Sequence, residues 1–311
     1  MQVGWLLSHA RGRAIASDAM ESPEIDTALA AALVAEQFPR WARLPVDPVV
    51  PGGHDNRTFR MGDELTIRLP TADGYVPGEL KEHLWLPQLA PVLPLPIPEV
   101  VAAGAPSGLF PRPWSVRRWI EGDTATSSRI GDPVGFARDL AAFLSALEEA
   151  DAVGGPAAGA QSFHRGGDLG VYDPETRRAI ETLGDDLGAQ RARAATEMWD
   201  AALSSRWLGP PVWFHGDIAP GNLLVRDGRL AAVIDFGTSG VGDPACDLVI
   251  AWTTLRGEAR EVYLEALGRD DATVARGRGW ALWKALITVV EHGPSGDAHA
   301  VEARATLGEL L

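Results

Sequence analysis

The chain has 311 residues, 46% apolar and 23% charged, with 28 basic against 42 acidic side chains and a formal net charge of −14. That is globular-protein composition, and the negative balance argues against a track for nucleic-acid phosphates. No apolar run approaches the roughly 20 residues a membrane-spanning helix needs. Cys246 is the only cysteine, which excludes an intramolecular disulfide and a multi-cysteine metal site.

Residues 1–21 read as a weakly structured leader, with Arg11 and Arg13 following its short apolar run. A secretory signal has the opposite order, so a cytoplasmic chain is expected. Ser22-Pro23-Glu24 predicts a helix start, and Ile25, Leu29, Leu33 and Val34 give that helix one apolar face ending before Pro39. A strand is expected at 46–50, a turn at 51–56, and two strands at 58–61 and 65–69 joined by Gly62-Asp63-Glu64. A helix carrying Glu79, Glu82, Leu84 and Leu86 follows, closed by Pro87. Prolines at 91, 94, 96 and 98 force an extended segment. Strands are then predicted at 99–103 and 114–120.

From about Glu121 the texture changes to Ala- and Leu-rich helical pattern, at 133–150, 174–203, 258–268 and 277–291. Residues 123–311 hold 28 acids and 17 bases, so a net −11 lies there. The expected organisation is an α+β chain with a small β-rich lobe at 22–121 and a larger acidic, helical lobe at 122–311. The Gly/Ala stretch 152–160 reads as a surface loop or flexible insert without chemistry; His164 and Asp168 sit in a Gly-rich loop that could face an acceptor, although a plain surface loop is the favoured reading.

The chemically dense stretch is 213–237. Asp227-Gly228 is a strong hairpin signal between Leu223–Arg226 and Arg229–Ile234. A two-residue turn pairs Arg226 with Arg229, so Asn222 should face Val233, with Asp235 two residues further along the same face. A carboxylate and an amide oxygen so placed suit one small divalent cation. Asp217 lies on the loop leading in, where Pro220 and Gly221 forbid a regular helix.

His215-Gly216-Asp217 with Asn222 five positions on, then Asp235-Phe236-Gly237, then Gly242-Asp243-Pro244-Ala245 with Asp247, resembles the protein-kinase-like catalytic core, and more closely the aminoglycoside phosphotransferase family. The resemblance covers about residues 22–292. It implies a two-lobed fold, with an N-terminal antiparallel sheet lobe that binds nucleotide and a helical C-terminal lobe for catalysis and acceptor binding. Gly216 replaces the arginine of protein kinases. Only Thr238 to Gly242 separate Gly237 from Asp243, so no peptide platform fits and the acceptor should be small.

By that resemblance Asp217 orients and deprotonates the acceptor hydroxyl, while Asn222 and Asp235 hold Mg2+. The turn at 52–56, including Asn56, would lie over the phosphates of ATP or another nucleoside triphosphate. The expected third-strand lysine is replaced by Arg68, which can hold phosphate oxygens bidentately. Glu82 is its expected partner, with Glu79 the rival. Arg118, Trp119 and Ile120 would meet the base edge through their backbone. His215, Asp243 and Asp247 would brace the loop, and Trp280 and Trp283 read as core. The implied activity is ATP-dependent phosphoryl transfer to a hydroxyl of a small molecule, an antibiotic of aminoglycoside, macrolide or nucleoside type. A metabolic small-alcohol kinase (choline, homoserine or sugar) and a non-catalytic nucleotide-binding protein stay open. The charge of the larger lobe predicts a cationic or neutral acceptor. Neither nucleic acid nor membrane is an expected partner, and the oligomeric state is open.

Overall fold

The computed structural model describes residues 24–50, 52–53, 55–293 and 297–311. The leader, Ser22, Pro23, Pro51 and His54 lie outside these. The chain divides into two compact units. One takes the described residues up to Ala90 together with Ile97–Glu121, the other Pro91–Pro96 and Gly122–Leu311.

In the first unit α1 (Thr27–Gln37) starts at Asp26, whose carboxylate accepts from the Leu29 N–H at 2.8 Å. An aspartate cap thus sets the start, later than Ser22 would. The strands are β1 (Val46–Pro48), β2 (Asn56–Met61) and β3 (Leu65–Pro70), then, after helix α2 (Val76–Leu89), β4 (Val100–Gly104) and β5 (Trp114–Arg118). They form one antiparallel sheet in the order β1-β2-β3-β5-β4. Ala30, Leu33 and Val34 of α1 pack on Phe59, Ile67, Trp114 and Val116 to make the core. Pro87 lies inside α2 and does not close it. In the last turn proline forfeits one hydrogen bond only, and the helix runs on to Leu89. This helix buries Glu79, Glu82, Leu86 and Leu89 and leaves Leu80 and Leu84 exposed. Its inner face is partly ionic.

The second unit opens with β6 (Asp123–Thr124) and α3 (Pro133–Glu149). The helical pattern at 174–203 is three helices, α4 (Asp173–Thr182), α5 (Gly184–Leu187) and α6 (Ala189–Ser204). The chain breaks at Gly188, whose φ of +77° no helix accepts. Next come β7 (Val212–Phe214), β8 (Leu223–Arg226), β9 (Arg229–Val233) and β10 (Gly240–Gly242). The chain ends with α7 (Ile250–Thr253), α8 (Gly257–Leu267), α9 (Asp271–His292) and α10 (Ala298–Leu310). Strands β6, β8 and β9 form one small sheet, β7 and β10 another. The stretch 152–160 is tied down: Val241 N–H donates to Pro156 O at 2.8 Å, and Ala158 N–H to Val241 O at 2.9 Å. Pro91–Pro96 joins this unit through Val233 N–H, which donates to Pro96 O at 3.1 Å. No helix among the described residues is long and apolar enough to cross a membrane.

Candidate active site

The hairpin predicted around Asp227-Gly228 forms, but its register slips within it. Arg226 pairs with Arg229 and Val225 with Leu230, whereas Leu224 pairs with Ala232 and Leu223 with Val233. Ala231 is the extra residue of a bulge. Asn222 therefore faces Ile234, whose N–H donates to Asn222 O at 2.8 Å, not Val233. One residue of slip inverts the side-chain alternation. Asp235 then breaks the extended geometry altogether, with φ 65° and ψ 70°. The direction of its carboxylate is set by this left-handed backbone, not by strand alternation. A non-glycine residue held there costs about 1–3 kcal/mol.

The loop 215–222 is pinned from several sides. His215 is fully buried; its Nδ1 accepts the Asp217 N–H at 3.2 Å and its Nε2 faces Ile234 O at 3.1 Å. Nδ1 as acceptor leaves the ring proton on Nε2, so His215 is a neutral spacer between this loop and the residue before Asp235. Asp247 accepts the N–H groups of His215 and Gly216, both at 2.7 Å. Burial pushes the Asp247 carboxyl up to about 7, although those two donors favour the ionised form. Asp243 accepts the Arg276 Nε–H at 2.6 Å and the Ala245 N–H at 3.1 Å. Gly216 has φ +85°, and a Cβ there would lie 2.9 Å from Thr238 O and 3.2 Å from Arg165 Cβ. That is a physical reason for glycine at this position.

Asp217 is half-buried with both carboxylate oxygens engaged. Asn222 Nδ2 donates to Oδ2 at 2.8 Å and to the Asp217 carbonyl at 2.9 Å, and Lys284 Nζ donates to Oδ1 at 3.3 Å. With its amide nitrogen spent there, Asn222 has an Oδ1 that makes no hydrogen bond among the described residues. Asn222 Oδ1 and the Asp235 carboxylate are hard oxygen donors of the kind that could hold Mg2+. No group of three or more His, Cys, Asp or Glu among the described residues could hold a metal.

Lys284 was not singled out from the sequence as a site residue. It comes from α9, 67 positions after Asp217, beside Trp280 and Trp283. Burial drives its ammonium down to about 8 against the pull of Asp217. The available signal was its rarity, as one of two lysines set in an apolar helix face. A pocket opens beside Asp217, lined among others by Arg165, Cys246, Trp280, Trp283 and Lys284. The two tryptophans are core by burial, each 1% exposed, and wall of this pocket as well.

In the first unit Arg68 on β3 pairs with Glu82 of α2, Nη1 lying 3.1 and 2.9 Å from the two carboxylate oxygens. Glu79 Oε2 stands 4.0 Å from Arg68 Nε. Its closer partner is Arg117, another residue absent from the sequence prediction, at 2.6 Å, with Glu82 also 2.9 Å from Arg117 Nη2. Burial alone would raise the Glu79 carboxyl; Arg117, with His83 and Arg68, outweighs it and holds the group below the ordinary range. With its amide oxygen toward Arg68, Asn56 accepts from Nε at 3.1 Å and Nη2 at 2.8 Å. Asn56, Arg68, Glu82, Glu79 and Arg117 thus form one network. Arg118 and Trp119 donate their backbone N–H groups to Glu99 O and Glu64 O, at 2.9 and 2.7 Å. Those two donors are taken, and β5 ends at Arg118, short of Ile120.

A family model described as the phosphotransferase enzyme family matches residues 48–286. An aminoglycoside 3'-phosphotransferase of Escherichia coli is 36% identical over 73 residues, which is 23% of this chain and only 27% of that relative's length. The GDP and kanamycin complex of APH(2")-IIia is similar in structure, with a TM-score of 0.70 at 19% identity, over 90% of this chain and 97% of that one. Macrolide 2'-phosphotransferase MphH from Brachybacterium faecium, in its apoenzyme structure, gives 0.55 at 24% identity, over 85% and 91%. At these identities the structural likeness speaks for the fold, and the family model, spanning most of the chain, for descent. The chain belongs to the phosphotransferase enzyme family.

Proposed function

We propose that this protein transfers the terminal phosphoryl group of ATP, or of another nucleoside triphosphate, to a hydroxyl of a small molecule. The observation that carries this reading is the state of Asp217. Its carboxylate is oriented by Asn222 and Lys284, on a loop braced by His215 and Asp247. A carboxylate has about four acceptor sites, so Asp217 keeps capacity for an incoming O–H. The acceptor oxygen bonds to the terminal phosphorus, the bond from that phosphorus to the bridging oxygen breaks, and the nucleoside diphosphate leaves. The hydroxyl proton passes to Asp217. Arg68, held by Glu82 and Asn56, is assigned to the nucleotide phosphates. For the base edge, Ile120 and the carbonyls of 118–120 are left, since the Arg118 and Trp119 N–H groups are occupied. Asn222 and Asp235 would hold Mg2+, which when bound supplies charge neutralisation at the phosphates.

The relatives named above make aminoglycosides and macrolides the first acceptors to try. A metabolic kinase for a small alcohol is the second reading, favoured by the charges that line the pocket. A purely nucleotide-binding role is disfavoured by the formed Arg68–Glu82 pair and by the Asp217 geometry. The test is incubation with Mg-ATP and with Mg-GTP across acceptor panels, scoring the mass gain of one phosphate. Product that vanishes in Asp217→Asn is expected. Absence of nucleotide binding by calorimetry would refute the reading.

A further inference from the structure

The pocket beside Asp217 carries charge of the opposite sign to the lobe around it. Two cations line it, Arg165 and Lys284, and one carboxylate, Asp217, already paired with Lys284. Arg165 is 6% exposed, and among the described residues no carboxylate lies within ion-pair distance of it. Its guanidinium carbon stands 4.6 Å from the Trp283 ring centre and 5.3 Å from that of Trp280, and Nη1 reaches only the Phe163 carbonyl at 3.4 Å. Besides those aromatic faces only the Phe163 carbonyl and the Tyr172 side chain meet this buried guanidinium, and neither is an anion, so its charge is poorly compensated. The Trp280 Nε1–H is a second buried donor, and it has no hydrogen-bond partner among the described residues. The Trp283 indole, by contrast, is satisfied by Glu175 at 2.9 Å. A cation without an anion and a tryptophan with an unsatisfied N–H therefore line one pocket, next to the residue assigned to the acceptor hydroxyl.

We propose that this pocket recognises an acceptor bearing an oxyanion, a carboxylate in the first instance, seated on Arg165 and the Trp280 Nε1–H with its hydroxyl at Asp217. The proposal rests on the phosphotransfer reading above and narrows it. The apolar body of the acceptor lies against Trp283, and Arg165 determines specificity. A polycation, which the net charge of the lobe would attract from solution, meets two like charges on arrival. The transferring phosphoryl group is the other oxyanion that Lys284 would meet, and Arg165 separates the two cases, because only the acceptor assignment makes nucleotide affinity independent of it.

The test is a matched series that shares ring and hydroxyl: para-(hydroxymethyl)benzoate, the corresponding benzamide and the corresponding benzylamine. Each is titrated by calorimetry into the full chain with Mg-ATP present, then assayed for product. The benzoate is expected to bind at least about tenfold tighter than the amide and the amine to bind weakest, a tenfold ratio being about 1.4 kcal/mol. Arg165→Gln should abolish the preference with nucleotide affinity unchanged. Trp280→Phe, which removes the N–H and keeps the ring, should weaken the benzoate several-fold and leave the amine unmoved. An equal or reversed order, a preference that survives Arg165→Gln, or binding by none of the three overturns the proposal. ATP affinity, read in the same titrations, reports separately on the phosphotransfer reading.

Discussion

Asp217 shows how one carboxylate is kept ready by neighbours that do not consume it. Asn222 holds Oδ2 and Lys284 holds Oδ1, so rotation is frozen while lone pairs remain. Asp217→Asn keeps the shape and removes the proposed base, and a fall in kcat of about a hundred- to ten-thousandfold is expected. Nucleotide affinity should stay within a few fold, and a large loss in calorimetry would reassign the residue. Asp235→Ala should instead raise the Mg2+ concentration needed for half-maximal rate; unchanged Mg2+ dependence would remove it from the metal set. Asp247 supplies a pH prediction. Its folded value of about 7 stands above the ordinary 3.8, so between those two the native state keeps a proton that the unfolded chain releases. The stabilisation is present at low pH and is lost as pH rises through 7, by at most about 4 kcal/mol. Glu148 and Arg269 also act on this carboxyl, with opposite signs. Comparing melting temperatures of the wild type and Asp247→Asn from pH 4 to 8 isolates the effect. A difference that does not shrink with rising pH would contradict it.

Among the elements, α2 in the first unit and the β8–β9 hairpin in the second each depart from simple patterning. Helix α2 turns Glu79 and Glu82 inward toward Arg68 and Arg117 and leaves Leu80 and Leu84 in solvent. Glu82→Ala leaves two cations short of a partner and should cost about 3–5 kcal/mol. Leu84→Lys should stay within about 0.5 kcal/mol. Chemical denaturation of both variants checks this, and equal midpoints would mean the ionic face is not what holds α2. The hairpin was readable in Asp227-Gly228 because a tight turn leaves a local signature. The bulge at Ala231 was not readable, since nothing in Leu-Ala-Ala-Val announces which residue will go unpaired. Pro87 misleads for the opposite reason: a strong local breaker loses force within the last turn, where one missing hydrogen bond changes little.

Over the whole molecule the charge of −14 and the pocket charge act at different ranges. Screening shortens the reach of exposed charges to about 8 Å at physiological salt, and buried pairs are screened far less. For an anionic acceptor the outer field opposes entry and the pocket attracts. Raising salt from about 10 to about 150 mM, across which the screening length falls from about 30 to about 8 Å, should therefore lower its KM. A KM that rises over that interval would assign the steering to a cationic acceptor. The family, the hairpin and the linear arrangement of His215, Asp217, Asn222, Asp235, Asp243 and Asp247 were determined by the sequence itself. Turn chemistry and short spacings act through neighbours along the chain, and so they leave a linear trace. What only tertiary structure decided is what surrounds Asp217: Lys284 from α9, Arg165 from a distant loop, and the unpaired Trp280 N–H. It also decided the Arg117 share of the network around Arg68. In these cases the partner lies tens of residues away, and proximity comes from packing a helix or a strand against the core, which no local pattern encodes.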